Sequence, residues 1–191
     1  MYSFIKPISF LFLFSLCFNS FAQENISKGV ATENFSGVWE YRGFFDLGNK
    51  KYPVQYTYHL FQTGTRVCGC LFRSGAPNKF LEQYAVQGVV KSASVDLLID
   101  GGSPASSDYS PVFPFEPVGA QRLKKEGKRM LLGDVRAPRD LDKFTFPPEK
   151  DVYYLRDMKM AKIGLSADPA SCSAEEPDSG LIFIKACLAN P

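Results

Sequence analysis

The chain has 191 residues, 45% of them hydrophobic, and a formal net charge of +2. That length supports one compact domain. The near-neutral charge lacks the basic excess that nucleic-acid binding demands.

Residues 1–22 read as a cleavable secretory signal. Lys6 precedes an apolar run, Ile8–Phe18, which ends at Asn19-Ser20-Phe21-Ala22. A basic start, a short apolar stretch and small residues at its end are the order of an export signal. The run is too short for a spanning helix, which needs roughly 20 apolar residues, and no later segment qualifies. Cys17 follows Leu16, where a lipoprotein signal needs a small residue, so cleavage is expected after Ala22. The mature chain is expected to be soluble and exported, periplasmic or secreted. Residues 23–34 are expected to form a flexible N-terminal segment. They hold one sequon, Asn25-Ile26-Ser27, and a second starts at Asn34.

From Phe35 to Met158, short apolar-alternating runs are split by Gly, Pro, Asn and Asp. This is the signature of a β-meander. Strands are expected at Gly37–Phe45, Tyr52–Gln62, Arg66–Arg73, Phe80–Lys91, Val95–Asp100, Val118–Lys124, Lys128–Val135 and Val152–Asp157. Gly64 and Gly127 mark two tight hairpins. Alternation places Tyr52, Val54, Tyr56, Tyr58 and Leu60 on the inner face of their strand. Tight pairing then turns Val67, Gly69 and Leu71 inward, and Cys68 and Cys70 outward beside His59.

The stretch Gly101–Pro117 carries Pro104, Pro111, Pro114 and Pro117, with Tyr109, Phe113 and Phe115 among them. Prolines so spaced forbid a central strand. The expectation is a long aromatic loop, acting as a lid or plugging one barrel end. Residues 35–166 form the expected barrel domain. Residues 167–191, Pro-, Ser- and acid-rich and then apolar, form a tail against the outside of the sheet.

Gly37-Val38-Trp39 opens the first strand, Gln62-Thr63-Gly64 marks a hairpin, and Val86-Gln87-Gly88-Val89-Val90 falls in a later strand. Met130-Leu131-Leu132-Gly133 and Val152-Tyr153-Tyr154-Leu155-Arg156 come near the end. This pattern resembles the calycin type of small barrel, which includes lipocalins and avidins. The resemblance implies an all-β fold: a single antiparallel up-and-down barrel of about eight strands, with the C-terminal segment packed outside. It also implies that Trp39 packs under a cation from the last strand, Arg156, to close one end.

Four cysteines follow the signal: Cys68, Cys70, Cys172 and Cys187. An even count in an oxidising compartment reads as two disulfides. Cys68 and Cys70 share one strand face at roughly 6–7 Å, at or beyond the disulfide limit. That favours bridges from this pair to the tail; separate Cys68–Cys70 and Cys172–Cys187 bonds are the alternative. His59 beside two sulfurs suggests a copper or zinc site, but export favours disulfides, so no metal and no cofactor are expected.

His59 is the chain's single histidine, and it faces outward with no nucleophile motif. A Ser-His-Asp arrangement has no visible frame. Asp96 and Asp100 read as solvated carboxylates. Arg122, Lys124, Lys125, Lys128 and Arg129 read as a solvated hairpin tip, with an acidic partner or anionic lipid surface as the rival. The inward tyrosines are more suggestive. Tyr52, Tyr56, Tyr58 and Tyr84, under Tyr109, Phe113 and Phe115, would suit a small aromatic or amphipathic ligand. The expected function is therefore non-enzymatic: binding of a small ligand in a barrel mouth. A protein-binding module, such as an envelope enzyme inhibitor or immunity protein, is the alternative.

Overall fold

A computed structural model describes residues 33–75, 80–100, 117–135, 150, 152–172 and 177–189. The expected signal segment and the proline-rich loop fall outside the described residues. Eight strands run in chain order: β1 (Gly37–Leu47), β2 (Lys50–Thr63), β3 (Arg66–Gly75), β4 (Phe80–Lys91), β5 (Ser94–Asp100), β6 (Pro117–Glu126), β7 (Arg129–Val135) and β8 (Tyr153–Gly164). Each pairs antiparallel with the next, and β8 pairs back onto β1. The result is a closed up-and-down barrel without free sheet edges.

Every expected strand is present, and the interior parity holds. Trp39 stands opposite Tyr58, Tyr58 opposite Leu71, and Leu71 opposite Tyr84. One apolar core fills the barrel, with Leu60, Val67, Val86, Leu97, Leu123, Met130, Leu132 and Met160 fully or almost fully buried. The β2–β3 hairpin turns at Gly64, whose φ of 58° lies in the left-handed region that Gly adopts without steric cost.

The last strand departs most from expectation. It was expected to end at Asp157, yet it runs on to Gly164. Ala161, Lys162 and Gly164 are the residues that pair with β1 and close the barrel. The alternation of Met158, Met160 and Lys162 puts a cation in the inward series, which hides the strand from hydropathy. The β7–β8 register also slips between Leu131 and Gly133, so facing cannot be counted through β8 from Tyr154.

The tail is more ordered than its composition suggests. A 3-10 turn, Pro169–Cys172, leads towards α1, Pro177–Ala189. Proline is at home in the first turn of a helix, where its missing N–H costs nothing. Thirteen residues make a marginal helix in water, so tertiary contacts must hold it. Gly180, Phe183, Ile184 and Cys187 recur at helical spacing and are buried. Phe183, Ile184 and Cys187 pack with Cys68, Cys70, Ala85, Phe61 and Phe72 on the outer wall of β2–β4. Two disulfides fasten the segment, Cys68–Cys187 and Cys70–Cys172, with Cα separations of 6.1 and 5.5 Å. The bridges run to the tail, as the strand spacing favoured, and the sulfurs of the rival metal site are spent in them.

Three surface expectations are overturned, the first being Asp100, which was read as solvated but is 7% exposed at the end of β5. Asp96, expected to be solvated, is only 3% exposed, and Arg122 of the supposed hairpin tip is 5% exposed. They face each other across β5 and β6. Arg122 grips Asp96 with two donors, Nε to Oδ1 and Nη2 to Oδ2 at 2.9 Å. Lys91 adds a contact to Oδ2 at 3.1 Å.

Candidate functional site

The antiparallel register gathers one polar and aromatic row at a single barrel end. Tyr41 is opposite Tyr56, Tyr56 opposite Arg73, and Arg73 opposite Glu82. All four occupy inward positions, as does Tyr84. They stand near the end where β3, β5 and β7 finish and β4, β6 and β8 begin. The mouth expected from the sequence falls at this end, where β5 finishes and β6 begins.

The contacts within the row are specific. The Arg73 guanidinium lies 5.5 Å from the Tyr56 ring centroid, inside cation–π range. Its Nη1 is 3.6 Å from Glu82 Oε2. Tyr84 donates its hydroxyl to the same carboxylate oxygen at 3.1 Å. Burial first, and the Glu82 carboxylate second, raise the Tyr84 hydroxyl above its ordinary pKa. The Tyr41 and Tyr56 rings meet at 6.4 Å between centroids, tilted by 48°. Chemically, the row offers aromatic faces, one cation and one carboxylate, a set that orients a flat amphipathic molecule.

The expected ligand-binding residues divide. Tyr56 and Tyr84 join the mouth row. Tyr52 lies one inward position beyond Val54, nearer the rim, half-buried opposite Phe45. Tyr58 belongs to the floor instead: it is fully buried, and its hydroxyl donates to Gln121 Oε1. Burial drives its pKa far upward. Tyr109, Phe113 and Phe115 lie outside the described residues. Arg73, Glu82 and Tyr41 were not singled out from sequence as site residues. Extending the inward series of β3 by one step past Leu71 reaches Arg73, and pairing then leads to Glu82. Their charge is what disguised them.

At the opposite end Phe35 fills the barrel and is wholly buried. Its backbone N–H donates to Gln62 Oε1, and its carbonyl accepts the Trp39 indole N–H at 2.8 Å. The cation over Trp39 is Lys162, with Nζ 5.5 Å from the ring centroid. Arg156, expected in that part, lies in β8 where the register slips, and its side chain is outside the described residues. Strand order alone could not identify the cation, because the slip changes which residues of β8 face inward.

Compared with family models, with curated proteins and with solved structures, the chain has no significant match in any of the three. The site is therefore read from its own geometry.

His59 faces the outer wall, opposite Cys70. Its Nδ1 is 2.6 Å from Ser171 Oγ, and Ser171 donates its single hydroxyl proton to the Asp168 carbonyl at 2.5 Å. His59 Nδ1 must therefore carry the hydrogen and donate it. This arrangement pins the 3-10 turn; it does not activate a serine, whose proton is already committed. Ser171 lies 112 positions away in sequence, so no local motif announces the pair.

Burial lowers the His59 pKa below its ordinary 6.5, against a smaller opposing pull from Asp168. The unfolded chain then binds the proton more readily than the folded one. Stability is full above pH 6.5 and declines as the pH falls through that value towards the folded pKa. Thermal melts between about pH 7.5 and pH 5.5 should show this decline, and His59→Gln should flatten it. Equal slopes in both proteins would remove His59 as the cause.

Proposed function

We propose that this protein is a non-enzymatic, exported binding barrel of calycin-like type, holding a small aromatic or hydrophobic ligand at its tyrosine-lined mouth. The observation that carries this reading is the Tyr56–Arg73–Glu82–Tyr84 row, facing inward at the end that the long connections leave. Below it the barrel is filled by Tyr58, Leu71, Val86 and Leu97. The ligand accordingly sits shallowly, between the row and the residues above it. The export-type leader and the two disulfides support a periplasmic or secreted setting. Among the described residues, no helix is long and apolar enough to cross a membrane.

The filled interior also favours a second reading, a protein-binding module that uses the rim and its loops. Native mass spectrometry of protein purified from its own host separates the two: a retained small molecule supports the first, a retained polypeptide the second. As a direct check, the neutral fluorophore N-phenyl-1-naphthylamine should bind at the mouth. Tyr84→Ala combined with Arg73→Ala should weaken it about tenfold, since each aromatic or cation–π contact contributes about 0.5–1.5 kcal/mol. Unchanged affinity in a folded double variant sinks the mouth as the ligand site.

A further inference from the structure

The closed end of the barrel holds a feature that the mouth does not explain. An open pocket of about 410 Å³ is lined by Asn34, Trp39, Lys125, Gly127, Lys128, Lys162 and residues 163–165. That volume falls in the range of small-molecule sites. Trp39, 2% exposed, forms part of its lining from within the barrel.

The pocket's charge is one-sided. Lys125 is ion-paired with Glu33 at 2.7 Å. Lys128 and Lys162 have no carboxylate partner among the described residues. Lys162 passes close over Gly37. A Cβ at position 37 would lie 2.4 Å from Lys162 Cε, and Gly37 has a φ of 125°. Only glycine suits that backbone and lets the lysine stem cross it. The Lys162 ammonium lies over Trp39, while Lys128 stands on the hairpin between β6 and β7.

The rim beside these cations is apolar. Ile163 is 58% exposed and Leu165 is 88% exposed. Ile163 directly follows Lys162, Leu165 comes two residues later, and both line the same pocket. A cationic pocket continuous with exposed hydrocarbon matches a molecule that is anionic at one end and apolar at the other.

We propose that this pocket binds an anionic amphiphile, its phosphate-type head group between Lys128 and Lys162 and its hydrocarbon chain on Ile163 and Leu165. Lysine ammoniums act as point charges and suit a compact anion with several equivalent oxygens. Trp39 is the chain's single tryptophan, so the site carries its own fluorescent reporter. The site is independent of the mouth, which lies at the other end of the barrel.

The test is a fluorescence titration of the whole exported protein with dodecyl phosphate below its micelle concentration. In parallel, the protein is titrated with inorganic phosphate and sedimented with phosphatidylglycerol or phosphatidylcholine vesicles. Dodecyl phosphate should shift the Trp39 emission saturably, with affinity falling as salt rises. Lys128→Glu, at an exposed hairpin tip, should weaken binding at least tenfold with an unchanged melting temperature. Leu165→Ser should weaken it severalfold, and Arg73→Ala at the mouth should leave it unchanged. Sedimentation with phosphatidylglycerol vesicles alone would assign the head group to a membrane lipid; no sedimentation beside dodecyl phosphate binding would assign it to a free amphiphile. Three results overturn the proposal: no saturable response to dodecyl phosphate, dodecyl phosphate binding that Lys128→Glu leaves intact, or inorganic phosphate binding as tightly as dodecyl phosphate.

Discussion

Replacing all four of Cys68, Cys70, Cys172 and Cys187 by Ser should cost about 7–8 kcal/mol, and replacing either pair alone only about 3 kcal/mol. The asymmetry follows from the connectivity. The bridges span 119 and 102 positions. The first one formed closes a loop of roughly 100 residues, worth about 4.7 kcal/mol in chain entropy. Once it exists, the second closes only the small ring made of residues 68–70 and 172–187. A ring of roughly 15–20 residues is worth about 3 kcal/mol. Either bridge is thus partly redundant with the other, and their joint loss approaches the whole stability of a domain this size, about 5–15 kcal/mol.

Single-pair variants should melt about 6–12 °C lower, while the quadruple variant should be largely unfolded or lose α1 from the wall. Calorimetry with far-ultraviolet circular dichroism reads both. Strictly additive losses from the two single pairs, summing to the quadruple loss, would contradict the shared-ring account.

Asp96→Ala should destabilise the barrel by about 3–5 kcal/mol, because it removes one partner of a buried, doubly hydrogen-bonded ion pair. Arg122 is 5% exposed and reaches Asp96 through two donors. With the carboxylate gone, its guanidinium stays out of water and loses both hydrogen bonds to Asp96. Lys91 does not share that fate: its side chain is 62% exposed and returns to solvent. Asp96→Leu combined with Arg122→Met removes both charges and should recover most of the loss, since apolar replacement of a buried pair is commonly neutral or better. Urea midpoints of the two singles and the double give the coupling. A fall of less than about 1 kcal/mol for Asp96→Ala would show that Arg122 does not depend on Asp96 for its charge compensation.

These two effects show where reading residues in order succeeds and where it stops. Period-two alternation in β2 set the facing of Tyr56 and Tyr58 and, through one hairpin, of Cys68 and Cys70. Facing is a local property of a pleated strand, so it is legible without knowing the fold. The same rule would have pointed Arg73 and Glu82 into the barrel, but charge at an inward position reads as solvent exposure.

Asp96 and Arg122 misled for the opposite reason. Each carries a surface-type charge, and only pairing of β5 with β6 sets them against each other and allows burial. Hydropathy has no access to a partner 26 positions away.

By itself, then, the sequence determined the local quantities: strands with their inner and outer faces, two hairpin turns, and a cysteine spacing that favours bridging to the tail. The tertiary structure alone decided what depends on chain closure. It made Met158–Gly164 the closing end of the last strand, folded the tail into a helix on the outer wall, and chose Cys68–Cys187 with Cys70–Cys172. It also set Lys162 over Trp39. The physical reason is common to all four. Each depends on contacts between segments far apart in the chain, and such contacts become favourable only once the barrel has brought those segments together.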